Sequence, residues 1–148
     1  MTERFVDTYL LYLLARASSE VSEQFHDRLK SHELQVPEWR VLASLSDGDG
    51  MTVGELANRA LQHQPTMTKT IDRMEKTGLV ERRQGDPDRR QVRVFITPEG
   101  RRRVDAALKD AKRHEQEVLA EYSADEAARL KSMLQTLIER NGSLPNDD

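Results

Sequence analysis

The chain has 148 residues, enough for one domain with a real core, and it contains no cysteine. That excludes a structural disulfide, a thiolate zinc site and a cysteine-based peroxide sensor. At 36% hydrophobic and 33% charged the composition leans toward long, solvent-exposed helices, and 5% aromatic supplies no wide stacking platform for single-stranded nucleic acid. The net charge of −3 conceals a segregation. Gln62 to Arg103 holds eleven basic and six acidic residues, a net +5, which leaves −8 for the remainder. A positive reader on an acidic body is what local attraction to phosphate needs.

Apolar residues at three- and four-residue steps, Phe5, Tyr9, Leu13, Ala17, Val21, Phe25 and Leu29, predict one first helix from about Arg4 to Lys30. At 1.5 Å per residue it is about 40 Å long, more than a small lobe can cover, so part of its stripe is expected to meet another chain. The run Tyr9 to Ala15 is too short to span a bilayer and no export signal is visible, so a cytoplasmic protein without a membrane partner is expected. After a linker at 32–36, Pro37 suits the first position of a second helix with Trp39, Leu42 and Leu45 facing inward. Asp47-Gly48-Asp49-Gly50 breaks it.

Thr52-Val53-Gly54-Glu55 matches a capping box for a short third helix, and Pro65 opens a fourth that packs through Met67, Ile71 and Met74. Gly78 is placed to close that helix in the left-handed conformation. Leu79 to Gln84 and Gln91 to Ile96 then read as two strands of a half-buried hairpin. Thr97-Pro98 starts a long helix to about Glu121, and Ser123-Ala124-Asp125-Glu126 caps a last helix carrying Leu130, Met133, Leu134, Leu137 and Ile138. The tail beyond Asn141 is polar. The expected fold is mainly α with a small β-hairpin, in the order α-α-β-α-α-β-β-α-α.

Two groups of residues carry chemistry. The helix from Pro65 offers Thr66, Lys69, Thr70 and Arg73 opposite its core face, with Gln64 and Thr68 at the edge. Hydroxyls and an amide suit close approach to base edges, and Lys69 and Arg73 suit phosphates or guanine edges. The alternatives are that Thr66 and Thr68 only cap, and that Arg73 pairs with an acid inside the lobe. At the hairpin tip, Gly85-Asp86-Pro87-Asp88-Arg89-Arg90, a carboxylate can brace an arginine suited to a narrow minor groove, with Arg89 in reach of a phosphate. An ordinary surface ion pair is the plainer alternative.

At this point the sequence resembles the MarR family of winged helix-turn-helix transcriptional regulators. The resemblance rests on Gln64-Pro65-Thr66-Met67-Thr68, on Arg73-Met74-Glu75-Lys76-Thr77-Gly78-Leu79-Val80, and on Asp86-Pro87-Asp88-Arg89-Arg90 followed seven residues later by Thr97-Pro98-Glu99-Gly100. It implies a single domain over 1–148, with a winged helix-turn-helix lobe over 37–97 and dimerisation helices over 4–32 and 98–141. It implies a homodimer on a pseudo-palindromic double-stranded DNA operator, with Arg90 in the minor groove and Asp88 orienting it. A small aromatic acid or its thioester is the implied effector. Tyr9, Tyr12, Arg16 and Trp39 are candidates to hold it, each also readable as scaffold or core.

The expectation is therefore a dimeric, sequence-specific regulator, a repressor that leaves its operator when the effector binds, with no cofactor. The rivals are an effector-independent architectural or antisilencing DNA-binding protein and a metal-responsive regulator. For the latter, His26, His32, His63 and His114 lack ligand spacing on any one helix. No nucleophile-base pair or phosphate-binding glycine loop points to an enzyme.

Overall fold

The computed structural model describes residues 4–84 and 91–142, so the expectations placed on Asp88, Arg89 and Arg90 lie outside the described residues. Its elements are α1 (Phe5–Thr8), α2 (Leu10–Leu29), a 3-10 turn (Lys30–His32), α3 (Val36–Asp47), β1 (Met51–Thr52), α4 (Val53–Arg59), α5 (Gln64–Lys76), β2 (Val80–Gln84), β3 (Val92–Ile96), α6 (Pro98–Val118) and α7 (Ala124–Asn141). The chain divides into two compact units, residues 1–112 and 113–148. Among the described residues no helix is long and apolar enough to cross a membrane.

The single first helix expected from Arg4 is broken at Tyr9, which is extended (φ −73°, ψ 125°). Local hydrogen bonds compete with the helical ladder there. The Thr8 hydroxyl donates to the Phe5 carbonyl (3.4 Å), the Tyr9 N–H to Val6, and the Tyr9 carbonyl receives Leu13 as the first bond of α2. Apolar spacing runs unbroken through Tyr9, so the pattern carries no trace of the break. Along α2 only Phe25 and Leu29 are buried, while Leu10, Leu11 and Leu13 stay exposed, as expected of a stripe longer than its lobe.

In the first unit, Leu29, Val41, Leu42, Leu45, Leu56, Met67, Ile71, Met74, Leu79, Val80, Val94 and Val104 are fully buried in one continuous core. The Gln35 N–H donates to the Glu38 carboxylate (2.9 Å) at the start of α3, one residue ahead of the expected Pro37 start. At the start of α4 the Thr52 hydroxyl accepts the Glu55 N–H (3.1 Å). The sheet is antiparallel in the order β1-β3-β2, with Met51 opposite Val94 and Val80 opposite Ile96. Val94 and Ile96 alternate inward.

Two bonds set α6 on this sheet. Thr97 donates its hydroxyl to the Gly78 carbonyl (2.6 Å) and accepts the Gly100 N–H (3.0 Å), capping α6 onto the end of α5. A β-carbon at Gly100 would stand 2.2 Å from the Leu79 carbonyl oxygen, so that approach admits only glycine. Further along α6, Asp110 receives Arg28 (3.1 Å) and His32 (3.1 Å). The His32 bond foremost, then Arg28, holds its carboxyl below the ordinary range, against the opposing effect of burial.

The second unit contains the end of α6 and all of α7. The Ser123 capping box is complete: its hydroxyl accepts Glu126 N–H (3.1 Å) and its own N–H donates to the Glu126 carboxylate (3.0 Å). Lys131 pairs with Glu115. No residue of α7 is buried, and Leu130, Met133, Leu137 and Ile138 are exposed.

Candidate nucleic-acid interface

Helical periodicity sorts α5 into two faces. Met67, Thr70, Ile71 and Met74 are buried; Gln64, Thr66, Thr68, Lys69 and Arg73 are exposed. Thr70 therefore does not belong to the outer face on which the sequence reading set it. It stands three residues after Met67 and one before Ile71, which turns it to the core, where its hydroxyl donates to the Thr66 carbonyl (3.1 Å). The Thr68 hydroxyl donates to the Gln64 carbonyl (3.0 Å) yet stays at the surface.

Arg73 makes no ion pair among the described residues, so the alternative of an internal pairing is not realised there. The acids beside it are taken by Arg82 on β2. That guanidinium reaches Asp72 (2.6 Å) and Glu75 (3.1 Å), and the Arg82 N–H donates to the same Glu75 carboxylate (2.8 Å). An exposed pair of this kind contributes little stability, on the order of 0–1 kcal/mol. Its effect is electrostatic: one guanidinium engages both acids of α5 and offsets half of their charge, so that Lys69, Arg73 and Lys76 outweigh what remains. In the sequence Arg82 is one basic residue among eleven in its window, with nothing to mark this role. Its spacing of ten and seven residues from Asp72 and Glu75 is a tertiary relation, with no local signal to reveal it.

The root of the hairpin is braced. Arg83 lies over the Phe95 ring (4.5 Å) and pairs with Glu81. Arg93 donates to the Gly50 carbonyl (2.9 Å), and the Asp49 carboxylate accepts the Ile96 N–H (2.9 Å). These contacts tie β2 to β3, and β3 to the loop before β1.

The four candidate effector residues do not converge. Tyr12 and Arg16 line one open groove of about 350 Å³ with Leu13, Ala17, Glu20 and Val21. Arg16 is ion-paired with Glu20. Tyr9 instead stacks on Phe5 (centroids 4.9 Å apart), and Trp39 meets Phe25 edge-on (5.1 Å, 62°) against the core. Trp39 is thus a packing residue, because its place at the start of α3 turns it toward α2. Among the described residues no group of three or more His, Cys, Asp and Glu is placed to hold a metal ion.

A helix-turn-helix whose second helix has a polar, positive outer face, followed by a braced antiparallel hairpin, defines a winged-helix DNA-binding protein. The family model described as MarR family matches residues 32–91. A MarR family transcriptional regulator from Silicibacter pomeroyi DSS-3 has 44% sequence identity and a TM-score of 0.82, the match covering 93% of this chain and 98% of that one. The homoprotocatechuate degradative operon repressor of Escherichia coli is 27% identical over 138 residues, 93% of each chain. The transcriptional repressor CouR, solved bound to a 23-mer DNA duplex, has 28% identity and a TM-score of 0.80, covering 93% of this chain and 97% of that one. The chain belongs to the MarR family, whose members are DNA-binding transcriptional regulators and not enzymes.

Proposed function

We propose that the protein is a homodimeric, cytoplasmic repressor that binds a pseudo-palindromic operator and leaves it when a small aromatic acid or its thioester binds. The observation that carries the DNA reading is the outer face of α5, where Gln64, Thr66, Thr68, Lys69 and Arg73 are exposed and Arg82 engages both neighbouring acids. In this reading α5 enters the major groove while Asp88 and Arg90 of the wing address the minor groove, with Arg89 near a phosphate. Dimerisation is supported by the exposed apolar faces of α1, α2 and α7. Two reader helices about 34 Å apart would then meet successive major grooves.

The effector reading rests on the groove beside Tyr12 and Arg16, where a carboxylate could exchange Glu20 for itself as the partner of Arg16. It also rests on a relative named for an operon that degrades an aromatic acid. A ligand shifts the equilibrium only by its differential affinity for the two spacings, so release requires preference for the spacing that does not fit DNA.

The test uses a duplex that the full-length protein selects from a randomised pool. Binding should fall steeply with salt and far exceed binding to scrambled duplex; equal binding to both contradicts the reading. Arg90→Ala should weaken binding by roughly 1–3 kcal/mol with the dimer intact, if its groove contact ranks with a good base contact. Arg16→Ala should retain DNA binding and blunt release by aromatic acids found in a thermal-shift screen. A full response would return Arg16 to the scaffold.

A further inference from the structure

Three helical segments of the first unit end in the same backbone motif. In each, one residue at the end is left-handed, its N–H bonds the carbonyl three residues back, and the next N–H bonds the carbonyl five back. After α2 and its 3-10 turn the pair is Glu33 to Lys30 (3.1 Å) and Leu34 to Leu29 (3.2 Å); after α4 it is Leu61 to Asn58 (3.3 Å) and Gln62 to Ala57 (2.9 Å); after α5 it is Gly78 to Glu75 (3.1 Å) and Leu79 to Met74 (2.9 Å). The left-handed residues are Glu33 (φ 56°), Leu61 (φ 58°) and Gly78 (φ 79°).

Their side chains differ in a way that backbone geometry does not require. Gly78 has none and avoids the clash a β-carbon makes in this conformation. Glu33 uses its side chain, which meets Arg103 of α6 at 3.9 Å. Leu61 accepts the same strain with a side chain that is 81% exposed. The following position departs too. Leu34 and Leu79 are buried there and complete the apolar contact usual for the motif, whereas Gln62 occupies it after α4. The side-chain oxygen of Gln62 is buried without a hydrogen-bond partner among the described residues. A glycine or asparagine at position 61 and a leucine at position 62 would suit the fold better on both counts. A strained, exposed leucine beside an unsatisfied amide indicates a residue kept for contact outside the lobe.

Leu61 stands in the turn three residues before α5 begins, on the approach to the helix end that carries Gln64 and Thr66. We infer that Leu61 is a DNA-contact residue, presenting its isobutyl group to apolar surface of the duplex, a thymine methyl or the carbons of a deoxyribose, beside the bases met by α5. This rests on the reading of α5 as the reader helix. The contact contributes affinity by removing the exposed leucine from water on binding.

The test compares full-length wild type, Leu61→Gly and Leu61→Asn on the duplex selected by the wild type and on the same duplex with uracil for thymine. Both variants suit the left-handed conformation, so both should melt at or above the wild-type temperature. Both should bind the selected duplex about tenfold more weakly. If the contact is a thymine methyl, uracil weakens the wild type and leaves the variants unchanged; if it is deoxyribose, the loss in the variants persists on both duplexes. Binding by both variants within about twofold of the wild type overturns the proposal, as does a lower melting temperature in both, which would make Leu61 a stability residue. A wild type that selects no sequence would instead overturn the reading of α5, and this proposal with it.

Discussion

The lobe around α5 and the helices that flank it solve the burial problem in opposite ways. In the lobe, Leu42, Leu45, Leu56, Met67 and Ile71 are completely buried, and its strands, caps and ion pairs close on one another. Along α1, α2 and α7, large apolar residues such as Phe5, Leu11, Met133 and Ile138 remain more than half exposed. The lobe is finished within one chain and the flanking helices are not. The closed core therefore resides in the first region, and in the proposed dimer the number and spacing of readers would be set by the second.

The sharpest way to break this contrast is to cut into each region. Leu45→Ala should cost the lobe about 2–5 kcal/mol in urea unfolding, through lost burial and the cavity left behind. A loss under about 1 kcal/mol would mean the core is less closed than described. Met133→Glu combined with Ile138→Glu should leave the fold recognisable by circular dichroism while shifting sedimentation from two chains toward one, because charge cannot be buried unpaired in an apolar interface. A mass unchanged at micromolar concentration would remove α7 from the contact.

Smaller effects separate reading from folding inside the lobe. Arg73→Ala should lower affinity for the selected duplex by roughly 1–3 kcal/mol and leave the melting temperature alone. Arg82→Ala should weaken binding with only a slight loss of stability, by freeing Asp72 and Glu75 beside Lys69; unchanged binding would reduce Arg82 to a surface ion pair. The smallest expected effect is on pH. Burial first, and then the Arg40 guanidinium, hold His26 below its ordinary value, with Asp27 opposing. Its stabilisation is present above the unfolded value of about 6.5 and is lost as pH falls through the lower folded value. His26→Gln should flatten the fall in melting temperature between neutral pH and pH 5; an unaltered slope would assign that fall to other groups.

What could be read in the sequence follows the range of each interaction. Gly78, the Thr97 cap on Gly100, Ser123 and the alternation of Val94 with Ile96 act over a few residues, and the helix order, hairpin and caps they imply are found. The break at Tyr9 lies in backbone hydrogen bonds while the apolar spacing continues, so it leaves no pattern to read. Thr70 is a polar residue at a core-facing angle, three residues after Met67, so its residue type points to the wrong face. Arg82 joins acids on a different element, and the left-handed turn at Leu61 is masked by a residue type that rarely adopts it.

In the proposed dimer, the unfinished helices would turn a self-contained reader into a paired one. Sedimentation of the full-length protein with a fluorescent selected duplex tests this most directly. Two chains per duplex, on half-sites about 10 base pairs apart, are predicted. A single chain bound with full sequence preference would contradict the claim.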